Sequence, residues 1–203
     1  MAEEMDNEII KYGKFIHTGK NKDKYQIIIC HTSREVNEYL TSLKFRYNGK
    51  YTKIPNYVIS REGKILQLLE DEEYGTFFYG KNKNKNSIII SLENLGWLEK
   101  EPLKNYHINW IGNIYKEKVF EKKWRDYFFW QPYTEEQLKS CSDLCKMLLE
   151  KFSIDKKCIG HNTKVDGADK YVGIVTKSNF DVEYTDVSPA FDFEQFIKYI
   201  ENE

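Results

Sequence analysis

Two short apolar runs, "YQIIIC" at residues 25–30 and "SIIISL" at residues 87–92, constrain this chain more than any other feature. Each has the length of a strand, and neither alternates polar with apolar residues, so both read as strands covered on two faces. A sheet buried on both sides needs helices above and below it. The sequence supplies candidates. "HTSREVNEYLTSLKF" follows the first run, with Thr32 and Glu35 spaced as a capping box and Val36, Tyr39, Leu40 and Leu43 on one stripe. "YTEEQLKSCSDLCKMLLEKF" (133–152) predicts a second helix, capped by Thr134 and Gln137. Its buried stripe is Leu138, Cys141, Cys145, Leu148 and Phe152. A third is predicted at the C-terminus, where Ser188 suits an N-cap, Pro189 the first helical position, and Phe191, Phe193, Phe196, Ile197 and Ile200 recur at helical spacing.

Between these elements, "NYVISREGKILQLL" (56–69) reads as a hairpin turning at Gly63, and "GKNKNKN" (80–86) as a polar loop. "SIIISLENLGWL" (87–98) is expected to be strand up to Gly96. The aromatic stretch 99–131 predicts one or two further strands and a loop, with Trp110, Trp124 and Trp130 forming an aromatic cluster or the wall of a ligand groove. The tract from 165 to 184 reads as irregular. Strands and helices mix without strict alternation, which predicts an α/β fold with a central mixed sheet flanked by helices, and one domain over residues 1–203.

Charge and apolar patterning narrow the function. A net charge of −1 argues against a broad phosphate-binding surface and hence against nucleic acid as a partner. No apolar run approaches the roughly 20 residues that cross a bilayer, and the acidic N-terminus "MAEEMDNEII" lacks the basic-then-apolar order of a secretory signal. The expectation is a cytoplasmic protein without a membrane partner, and its four cysteines agree with a reducing compartment.

His31 ends the first buried strand, His161 follows Gly160 in "CIGHNTK", and Asp186 precedes the last helix. Two imidazoles and a carboxylate are a suitable donor set for a zinc ion with one open position. On residue chemistry alone, satisfied or exposed histidines are the better reading, because 130 residues separate His31 from His161 and no compact motif links them.

Six pieces in order carry a resemblance: "IIICHTS", "IPNYVISREGKILQLL", "NSIIISLENLGWL", "YTEEQLKSCSDLCKMLLEKF", "CIGHNTK" and "TDVSPAFDF". The chain resembles the zinc-dependent N-acetylmuramoyl-L-alanine amidases, which share their fold with the peptidoglycan recognition proteins. The likeness spans about residues 25 to 198, with 99–131 and 165–184 as insertions. It implies Zn2+ held by His31, His161 and Asp186, peptidoglycan or a muropeptide as partner, and hydrolysis of the amide between N-acetylmuramic acid and L-alanine. Two settings fit that activity, a phage endolysin and a cytoplasmic enzyme that recycles wall fragments.

The chain departs from the family pattern at three places. Ser91 stands where many relatives carry a catalytic Glu, and Glu93, two residues on, is the candidate substitute. Pro55 and Asn56 stand where others carry a Tyr. Tyr184 replaces a Lys, so Lys177 or Lys164 is the expected replacement cation. These departures keep open an alternative: an amidase-fold protein, non-catalytic or retargeted, that binds peptidoglycan fragments or another small ligand.

Overall fold

The computed structural model describes residues 8–78 and 81–202. In chain order the first half holds β1 (Ile9–Lys11), β2 (Gly19–Lys20), β3 (Gln26–His31), α1 (Val36–Phe45), β4 (Tyr57–Ile59), β5 (Ile65–Gln67), β6 (Glu73–Tyr74), α2 (Lys81–Asn86) and β7 (Ser87–Leu92). The second holds β8 (Trp97–Lys100), β9 (His107–Ile108), β10 (Ile114–Tyr115), β11 (Phe120–Trp124), β12 (Tyr127–Trp130), α3 (Glu135–Lys151), β13 (Gly173–Thr176) and α4 (Phe193–Glu201).

The main sheet runs β1-β5-β4-β7-β3-β13. Only the β4–β5 hairpin pairs antiparallel; β4, β7, β3 and β13 are mutually parallel neighbours. This is the expected mixed sheet. Every residue of β3 and β7 is buried, because the sheet is covered twice. Ile27, Ile29, Ile88 and Ile90 point to one side, onto Leu144, Leu148 and Phe196 of α3 and α4. Ile28, Cys30 and Ile89, beside Val175 of β13, point to the other, under Phe78. The period-2 geometry of a strand sorts them.

α3 begins as its sequence dictates: Gln137 N donates to Thr134 Oγ1 at 3.1 Å, and Thr134 N to Gln137 Oε1 at 3.2 Å. Cys141 and Cys145 are buried in the core beneath it. Gly63, with φ +81°, turns the β4–β5 hairpin against α3; a Cβ there would lie 2.6 Å from Ser140 Oγ.

Several local expectations are corrected. α1 has no Thr32–Glu35 capping box: its N-cap is Glu35, without a side-chain bond, and Thr32 Oγ1 instead accepts from Asn94 N at 3.2 Å. The last helix starts at Phe193, capped by Asp192 Oδ1 on Gln195 N at 2.9 Å, whereas the Ser188 hydroxyl closes a local turn on Ala190 N. Residues 81–86 form a short helix rather than a loop, tethered where the Asn84 amide bonds both N and O of Phe78; Gly80 lies outside the described residues. The run 87–98 splits into β7 and the start of β8. The tract 165–184 contains β13, a buried strand of the main sheet.

The stretch 99–131 builds more than expected. With β8 it makes a second, antiparallel sheet in the order β10-β9-β8-β12-β11. Trp130 is buried in it, with Nε1 donating to Lys122 O at 2.9 Å. Among the described residues, no helix is long and apolar enough to cross a membrane.

Candidate functional site

The parallel strands β3, β7 and β13 end on one edge of the main sheet, and open α/β sheets place their ligands outside such carboxyl ends. His31 is the last residue of β3, Glu93 follows β7, and Lys177 follows β13. A turn from Lys177 to Asn179 holds the last of these. Thr176 N donates to Asn179 Oδ1 at 2.7 Å, and Ser178 N to Asp186 O at 2.6 Å. That second bond brings Asp186 to the edge.

His31 is buried and its ring is engaged on both sides. Nδ1 lies 3.0 Å from the Tyr133 hydroxyl. Nε2 faces Gly96, where a Cβ would come within 3.0 Å, so only glycine, here at φ +79°, admits the imidazole. Burial pushes the His31 pKa down to about 4; the nearby Asp186 carboxylate opposes that shift and Lys177 reinforces it. The ring is therefore neutral at neutral pH.

Asp186 is buried beside it. Its Oδ2 lies 3.4 Å from His31 N and 3.2 Å from Lys177 Nζ. The structure thus joins three residues singled out in the sequence, His31, Asp186 and Lys177. The signal for Lys177 was weak, since a four-residue strand carries too little periodicity to announce the turn after it.

His161 approaches through its main chain only. Asn179 Nδ2 donates to His161 O at 2.8 Å, and Asn162 Nδ2 to Val187 O at 3.2 Å, so the loop is tied to both neighbours of the site. Its imidazole is exposed, with Nδ1 on Thr163 Oγ1 at 2.8 Å. The donor types suit zinc, but their placement does not. Among the described residues no three His, Cys, Asp or Glu side chains gather as a metal centre.

Glu93 is placed as a double cap. Oε1 accepts from Val36 N at 2.8 Å, replacing the missing capping box of α1, and Oε2 accepts from Arg61 N at 2.9 Å in the β4–β5 turn. Both bonds stabilise its charged form and fix its orientation as a structural cap. Lys164 is exposed, and among the described residues no hydrogen bond or ion pair joins it to Asp186. A cavity of about 480 Å³ opens beside Glu93, lined also by Glu35, Arg61, Tyr115, Lys116 and Gln131. None of His31, His161 and Asp186 lines it.

The second sheet reaches this edge from two directions. Trp110 Nε1 donates to Ser33 O at 2.9 Å, with the Arg34 guanidinium 4.8 Å from its ring. Arg125, from the β11–β12 turn, donates to Asp181 O and Val182 O. Trp110 is about half exposed, at 48%.

Comparison with known proteins decides the family. Residues 16–171 match the N-acetylmuramoyl-L-alanine amidase family. The chain belongs to that family. The matched segment contains His31, Glu93 and His161, whereas Lys177 and Asp186 lie beyond it.

Solved structures agree on the fold of this amidase-family protein. The endolysin amidase LysCS from Clostridium intestinale URNW superposes with a TM-score of 0.56 at 13% identity, over 97% of each chain. The amidase AmiD from E. coli, solved with anhydro-N-acetylmuramic acid-L-Ala-D-gamma-Glu-L-Lys, gives 0.54 at 16% identity, over 90% of this chain and 59% of that one. Peptidoglycan recognition protein LE, solved with tracheal cytotoxin, gives 0.52 at 13% identity, over 94% and 92%. A curated putative histone-lysine N-methyltransferase 1 of Plasmodium falciparum (isolate 3D7) is 26% identical over 151 residues, yet these span 74% of this chain and 2% of that protein. A match to so small a part transfers no activity.

Proposed function

We propose that this protein hydrolyses the amide bond between N-acetylmuramic acid and L-alanine, in peptidoglycan or in soluble muropeptides. Membership of the amidase family over residues 16–171 carries the reading. The sheet edge supports it by setting a neutral imidazole, a buried carboxylate and an ammonium side by side. The ligand solved with AmiD contains the same kind of linkage, N-acetylmuramic acid to L-Ala.

Each residue has a role in this reading. Tyr133 fixes the ring of His31 through Nδ1. Lys177 supplies the positive charge that a developing oxyanion requires. Glu93 positions, holding the first turn of α1 and the β4–β5 turn against the end of β7. Zn2+ is the cofactor implied by the family, with His31, His161 and Asp186 as its proposed donors. As the side chains stand, they do not form its site.

A second reading rests on that same arrangement. Asp186 is already paired with Lys177, His161 is turned to Thr163, and each Glu93 oxygen accepts a backbone amide. A protein so arranged would bind muropeptides without cleaving them. Purified protein incubated with soluble muropeptides and with cell walls, with and without added zinc, separates the two by mass spectrometry of the products. Hydrolysis predicts free peptides beginning with L-alanine. Calorimetric binding with no such peptides would replace hydrolysis by the second reading, and neither binding nor release would remove both.

A further inference from the structure

Lys177 and Asp186 are held together by more than their charges. Ser178 N donates to Asp186 O, so the main chains on either side of the pair are joined. The ammonium lies 4.7 Å from the centroid of Tyr184 and 5.7 Å from that of Phe77, two aromatic faces that favour a cation. The Asp186 side chain is only 7% accessible and that of Lys177 23%. Burial opposes the lysine's charge, yet Asp186, Cys30 and Tyr184 hold its pKa above the ordinary value. The oxygen that receives the ammonium is also the one beside His31 N.

We infer that Lys177 is a resident counter-cation of Asp186 that any divalent metal must displace, so that this ion pair holds the site's metal affinity down. The inference rests on Asp186 serving as a metal donor. An ammonium and a divalent ion drawn to one carboxylate oxygen repel each other at close range in a buried setting. Metal binding therefore needs the ammonium to withdraw along its aromatic bed and the His161 ring to leave Thr163. In this chain the disagreement between donor chemistry and donor placement has a cause: the cation's place at the carboxylate is taken by the protein itself.

The test is zinc affinity, measured on the full chain by competition with a chromophoric chelator. K177M should bind zinc at least roughly tenfold more tightly than wild type, since removing a competing buried cation leaves Asp186 in want of one. K177R keeps the positive charge and should stay near wild type. The gain in K177M should vanish in the double variant K177M/D186N. Equal or weaker zinc binding by folded K177M, or a gain that survives D186N, overturns the inference.

Should K177M fail to fold, the wild type answers by itself. The 15N resonance of Lys177 Nζ should shift as zinc is added, and an unmoved resonance at stoichiometric bound zinc overturns the inference equally. Peptide release is read separately. A protein inactive on muropeptides whose K177M variant gains zinc affinity refutes hydrolysis and leaves the counter-cation in place.

Discussion

β7 and β11 are strands of similar length that the fold treats in opposite ways. β7, "SIIISL", is central in a parallel sheet and buried at every position. β11, "FEKKW", is at the edge of the second sheet and exposed at all but its last residue. The main sheet has α3 and α4 against one face, and α1 and two further apolar clusters against the other. The second sheet encloses only a small cluster around Leu95, Leu98 and Tyr115. One sheet therefore supplies stability and fixes the edge from which the site projects. The other is laid over that edge and anchored by a few long side chains, Trp110 and Arg125 among them.

The contrast predicts a hierarchy of effects. Trp130 is the largest fully buried side chain of the second sheet, where β12 meets β8, and Trp130→Ala should cost about 3–5 kcal/mol in urea unfolding. Ile90→Ala, in the middle of β7, should cost about 2–5 kcal/mol. A much smaller loss at Trp130 would show that the second sheet folds without its buried anchor.

His31 sharpens the comparison through pH. Its folded pKa of about 4 lies below the ordinary 6.5, so between these values the unfolded chain binds a proton that the native state refuses. In chelator-treated protein, stability is fully present above pH 6.5 and falls by up to about 3 kcal/mol as pH drops to 4. H31N should flatten that slope in urea midpoints measured across the range. His107, in the second sheet, is also shifted downward by burial but is less enclosed, and H107N should change the slope far less.

Glu93→Ala removes the bonds that tie α1 and the β4–β5 turn to β7, and about 2 kcal/mol of stability should go with them. Amide exchange should quicken at Val36 and Arg61 specifically. The smallest effect belongs to the outer face of the second sheet. Phe128 is 52% exposed, and Phe128→Ser should move the midpoint by no more than about 0.5 kcal/mol. A loss there as large as that of Ile90→Ala would mean the face is covered in solution and would break the contrast.

The parts legible in the sequence are those whose chemistry is local. The apolar runs of β3 and β7, the Thr134–Gln137 box of α3 and the Phe196–Ile200 stripe of α4 each act over a few residues, and each appears where expected. Competition between local signals produced the errors. Ser188 and Asp192 are both good caps four residues apart, and Asp192 caps the helix while Ser188 is spent on a turn. Thr32 had the right spacing for a cap, yet its hydroxyl bonds Asn94, and a carboxylate 57 residues from Val36 serves α1 instead.

By itself the sequence determined the sheet, its covering helices and the residue types at its carboxyl edge, because burial and capping are written in short stretches of chain. The tertiary structure alone decided that Lys177 meets Asp186, that Glu93 caps, and that His161 turns to Thr163. Those outcomes depend on which way a side chain points once distant segments are joined, and neither spacing nor composition encodes that direction.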